Sequence, residues 1–129
     1  MFLYNLTEEE RAAFPTLALS VIRADERLAD REQEYLTRLK HELVISPDHL
    51  TFEQTLAVFR KPLARRAAYC ELLGIAWIDE ALADEEAVLL DRIADAWSLS
   101  PEERVAIHQW VDEQIAHLGR ARELFAGAF

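Results

Sequence analysis

The sequence predicts an all-α protein, a compact bundle of seven to eight helices built from two pseudo-symmetric halves, and three observations carry that prediction. No segment alternates apolar and polar residues with the period of two that a half-buried strand requires, whereas apolar residues recur at helical spacings along most of the chain. Apolar residues fill 51% of the 129 positions against three glycines and four prolines, enough for a core and too few breakers for a loop-rich fold. The third observation is a repeat. Asp25-Glu26-Arg27-Leu28-Ala29-Asp30-Arg31-Glu32 returns as Asp79-Glu80-Ala81-Leu82-Ala83-Asp84-Glu85-Glu86, and the register runs on through Leu36 and Leu90, Arg38 and Arg92, and Ser46-Pro47 and Ser100-Pro101. Ten of 23 aligned positions are identical without a gap. An internal repeat dictates architecture. Two copies, residues 18–49 and 72–103, point to two similar helical halves sharing the core of a single domain over residues 1–129.

The elements follow in order. Thr7-Glu8-Glu9-Glu10 has the form of a capping box, a hydroxyl for an orphan backbone N–H with a Glu three residues later reaching back. The short helix it opens should stop near Phe14-Pro15, and a second should run from Thr16 to about Asp25, burying Leu17 and Val21. Asp30 reads as the N-cap of a helix with the apolar stripe Tyr35/Leu36, Leu39 and Leu43. Ser46-Pro47 starts another, since Pro at the first helical position lacks only a donor that would be orphaned anyway. That element runs to Phe59, with a break near Thr51.

Pro62 opens a fifth helix, and its stretch Ala67 to Ile78 is apolar nearly all round, the mark of a helix surrounded by others. Glu71 is the only charge in that stretch, so it must be paired, protonated or wet. A partly exposed Glu on a narrow wet stripe is the simpler reading, with Arg23 as the alternative partner. In the second half Asp84 caps a helix with Leu89, Ile93 and Trp97 inward. Ser100-Pro101-Glu102-Glu103 opens the next, with Ile107, Trp110/Val111, Ile115 and Leu118 on its stripe. Gly119 should end it, leaving Arg120 to Phe125 as a last short helix.

Composition narrows the function. A net charge of −10 argues against nucleic acid, because phosphate binding relies on clustered Lys and Arg. The one basic stretch, Arg60, Lys61, Arg65 and Arg66, reads as a solvated loop and helix start or a counter-charge for nearby acids, and less readily as a dock for an acidic partner. No apolar run is long enough to span a bilayer, so direct membrane insertion is not expected. The N-terminal segment has no basic flank and no long apolar stretch, and so does not read as a signal peptide. The single cysteine, Cys70, excludes an internal disulfide and fits a reduced, cytoplasmic setting. In an apolar helix it reads as a small hydrophobe. The four histidines, His41, His49, His108 and His117, form neither a zinc-protease motif nor a di-iron pair. His108 and His117 read as helix-surface or half-buried residues, the three tryptophans as core, and no catalytic centre is visible. The chain does not read as an enzyme.

The acidic corners remain. Asp30, Glu32, Asp84, Glu85 and Glu86 start helices, where the positive end of the helix dipole favours them. Asp25 and Asp79 fall near helix C-termini, where the dipole disfavours negative charge, and the sequence places them there twice. Two compensations stand side by side. Each Asp can accept backbone N–H groups of its own corner in an Asx-type turn, with Leu28 and Leu82 plugging the corner into the core. Alternatively, Asp25, Glu32, Asp79 and Glu86 supply hard oxygen ligands to a divalent cation, Ca²⁺ or Mg²⁺. The spacing is not that of an EF-hand: with Asp25 as position one, position six is Asp30 rather than Gly and position twelve is Leu36.

At these corners the sequence resembles the TerB tellurite-resistance family and its TerB-like relatives. Their motif is an Asp-Gly closing a helix and a Glu seven residues after the Asp, once in each half. Asp25 with Glu32 and Asp79 with Glu86 match that spacing, and Leu99-Ser100-Pro101-Glu102-Glu103 is in the family's style. The resemblance covers residues 12 to 118 and implies a compact all-helical domain of two pseudo-symmetric halves. It also implies divalent-metal binding by the acids, and a role in tellurite resistance or stress response through protein partners, including membrane-associated complexes. One departure affects the site: the family's Gly is Glu26 and Glu80 here, and Glu resists the positive φ that Gly permits. The alternative function is a structural or protein-interaction domain without metal, its acids serving as turn and cap residues.

Overall fold

Three helix starts in the computed structural model are built alike, and they set the frame of the molecule. The structure describes residues 2–24, 50–77 and 84–127. Thr7 caps helix α1 (Glu8–Arg23), Thr51 caps α2 (Phe52–Val58) and Ser100 caps α5 (Pro101–Phe125), each with a reciprocal capping box. Between them lie α3 (Pro62–Ala76), opened by its proline, and α4 (Asp84–Ala96). A 3-10 turn, Leu3–Asn5, precedes α1. A helix starts at Thr51, where a break was expected: Thr51 Oγ1 accepts the Gln54 N–H at 3.1 Å while Gln54 Oε1 takes the Thr51 N–H at 2.9 Å. The part of that element before residue 50 lies outside the described residues.

The all-α reading holds, but the expected seven to eight helices do not: the described residues form five. Two predicted breaks are absent. Pro15 lies inside α1, which runs unbroken from Glu8 to Arg23. The missing N–H and the ring clash of an interior proline cost about 3 kcal/mol. Against that cost stand Ala13, Phe14, Leu17, Ala18, Val21 and Ile22, all buried along this one helix on both sides of the proline. Gly119 likewise lies inside α5 and has no positive φ; the left-handed glycine is Gly127, at φ 85°, whose N–H bonds the Leu124 carbonyl at 3.0 Å. The predicted helices over Asp30 to Leu43 and from Ser46-Pro47 lie outside the described residues, and so does the comparison of the two halves.

Helix α3 is the axis. It contacts the 3-10 turn, α1, α4 and α5, as its all-round apolarity predicted, while α1 also packs on α2 and α4. Tyr69, Leu72, Leu73 and Ile75 of α3 join Phe14, Leu17 and Ile22 of α1, Leu90 and Ile93 of α4, and Phe59 in one buried cluster. On α4 it is Leu90 that is fully buried, with Leu89 only partly so. The tryptophans divide. Trp97 is core, its ring 5.1 Å from that of Phe59 and tilted 49° to it, and it donates its indole N–H to the Leu56 carbonyl at 3.0 Å. Trp77 is half-buried and Trp110 is 36% exposed, so the expectation of three core tryptophans fails for Trp110. Among the described residues, no helix is long and apolar enough to cross a membrane.

Candidate functional site

The acidic corners are framed by helix ends. α1 stops at Arg23 with Ala24 as its C-cap, two residues short of the predicted end at Asp25; α3 stops at Ala76 with Trp77 as C-cap. Of the four candidate ligands, Asp25, Glu32 and Asp79 lie outside the described residues, and Glu86 lies within them. Helix α4 opens with Asp84, Glu85 and Glu86 in its first turn, Asp84 being its first helical residue where the sequence predicted a cap. The three acids differ sharply in burial: Asp84 and Glu85 are exposed, whereas Glu86 is 2% exposed. The first pair do what acids at a helix start do, complementing the positive end of the dipole from water. Burial of Glu86 needs more than the dipole, because a carboxylate withdrawn from water must be neutralised or satisfied by hydrogen bonds. Among the described residues, no group of three or more His, Cys, Asp and Glu is arranged to hold a metal ion.

A second buried carboxylate sits in α3. Glu71 is 7% exposed and accepts a hydrogen bond from the Phe2 backbone N–H, which overturns the wet-stripe reading; Arg23, the alternative partner, is exposed. The aromatic ring of Phe2 meets Trp110 edge-on at 5.2 Å, so the N-terminal segment bridges α3 and α5. Cys70, next to Glu71, is half-buried against the core, and burial, then the Glu71 charge, push its thiol up to about 11. That fits a packing cysteine and not a nucleophile, which needs a lowered value.

Between α3 and α5 the buried Tyr69 hydroxyl and His108 Nε2 share a hydrogen bond of 3.0 Å. The Tyr69 hydroxyl is held above its ordinary value first by burial and then by the Asp91 charge, with Arg104 opposing. His108 is half-buried, as expected, and His117 is exposed beside Arg120.

The basic stretch is largely structural. Arg65 donates through Nε to the Phe59 carbonyl at 2.7 Å and through Nη1 to the Trp97 carbonyl at 3.3 Å, tying the start of α3 to the end of α4. Arg66 pairs with Glu103 at 3.1 Å, and Arg60 and Lys61 are exposed. The counter-charge reading therefore describes Arg66. Arg65 serves backbone carbonyls, a role that composition could not reveal.

Sequence reasoning also missed a shared feature of the helix starts. Arg11 reaches back to the Leu6 carbonyl at 3.1 Å, and Arg104 to the Leu99 carbonyl at 3.0 Å. Both arginines follow a capping-box Glu directly, and both serve a buried Leu that precedes the cap. The signal was in the text: Leu6-Thr7-Glu8-Glu9-Glu10-Arg11 and Leu99-Ser100-Pro101-Glu102-Glu103-Arg104 share their spacing. No protein-family model matches the chain, and no curated protein or solved structure is similar enough to it to count as a match.

Proposed function

We propose that this is a non-enzymatic, TerB-like helical domain whose two acidic corners bind a divalent cation, Ca²⁺ or Mg²⁺, in a tellurite-resistance or stress-response setting, acting through protein contacts in the cytoplasm. The observation that carries the reading is Glu86: of the three acids opening α4, the one that matches the resembled motif is the one withdrawn from water. Asp79, seven residues earlier, is the second ligand that the resembled spacing supplies, with Asp25 and Glu32 repeating the pair. Large apolar side chains exposed on α5, Leu118, Leu124 and Phe125, support action through protein contacts. The second reading, a metal-free structural or interaction domain, is favoured by Asp84 and Glu85, which occupy the solvated first turn of α4 as helix-start acids do.

Thermal unfolding of chelator-treated protein against Ca²⁺, Mg²⁺, Mn²⁺ and Zn²⁺ at matched ionic strength separates the two. Cation binding to the folded state raises stability by about 2.7 kcal/mol at a hundredfold excess over Kd. The expected result is a gain for one ion that Asp25→Asn combined with Asp79→Asn removes. A panel with no gain for any ion overturns the metal reading. A double variant that loses stability equally with and without metal assigns the acids to their own turns.

A further inference from the structure

We draw no further inference here: the strongest candidate, the exposed apolar surface on the C-terminal half of α5 formed by Leu118, Leu124 and Phe125, supports the protein contacts already proposed, and nothing in the structure shows what covers it.

Discussion

Arginine at the fourth position of a helix recurs here as a backbone clamp. Arg11, Arg65 and Arg104 each bond a carbonyl just upstream of their own helix, and Arg104 adds an ion pair to Asp95 at 2.8 Å. The ion pair alone contributes little, about 0–1 kcal/mol, because Asp95 is exposed. The cap beside it matters more. Ser100→Ala removes the acceptor for the Glu103 N–H and should cost about 1 kcal/mol in urea unfolding; a change within a few tenths would show that Glu103 and Arg104 hold the helix start without it. Cys70 supplies a pH test. Its thiol, ordinarily near 9.0, is raised to about 11, so the folded chain keeps a proton there that the unfolded chain has lost. Its contribution to stability is therefore intact below pH 9 and falls as the pH rises from 9 towards 11. Thiolate absorbance of the folded protein should titrate with a midpoint near 11, and a midpoint at or below 9 would contradict the burial of this side chain.

At the scale of the element, local breakers were overruled by burial and by continuity of the helix. Pro15 is carried inside α1 because the apolar side chains on both sides of it belong to one core. Gly119 sits inside α5 with nothing within 4 Å of where a Cβ would stand. Gly119→Ala should therefore stabilise the protein by about 0.5–1 kcal/mol, since Ala is the better helix former and there is space for it. Destabilisation by this substitution would return Gly119 to the role of helix terminator. At the end of α4 the reverse occurs. Ser98 adopts a left-handed φ of 55°, its N–H bonding the Asp95 carbonyl at 3.1 Å and the Leu99 N–H the Ala94 carbonyl at 3.0 Å. That is the bonding of a Schellman cap. Leu99 is buried directly behind it, so the core holds a serine where glycine is usual.

Over the whole molecule, a net charge of −10 on 129 residues means self-repulsion that folding concentrates. Surface pairs such as Arg92 with Glu53 at 3.6 Å, both well exposed, do little to offset it. Raising monovalent salt from about 0.01 M to about 0.15 M shortens the screening length from about 30 Å to about 8 Å and should raise the melting temperature by a few degrees. A melting temperature that falls with salt would mean that specific ion pairs outweigh the net charge. The same experiment sets the background against which any gain from a divalent cation has to be read.

Class and local punctuation were legible in the sequence because they depend on neighbours along the chain. The all-α character, the capping boxes at Thr7 and Ser100, the proline start of α3 and the enclosed position of that helix all followed from periodicity and hydroxyl-acid spacing. Of the candidate site, the sequence distinguished Glu86 by its place in a repeat and by its spacing from Asp79. Its burial beside two exposed acids is a tertiary fact, and that of Glu71 under the Phe2 amide was decided by packing of elements distant in the chain. Helix number was decided there too. A breaker acts locally with a cost of about 1–3 kcal/mol, and a shared apolar core can exceed it, so Pro15 stays helical only because α2, α3 and α4 supply the surface against which α1 is buried.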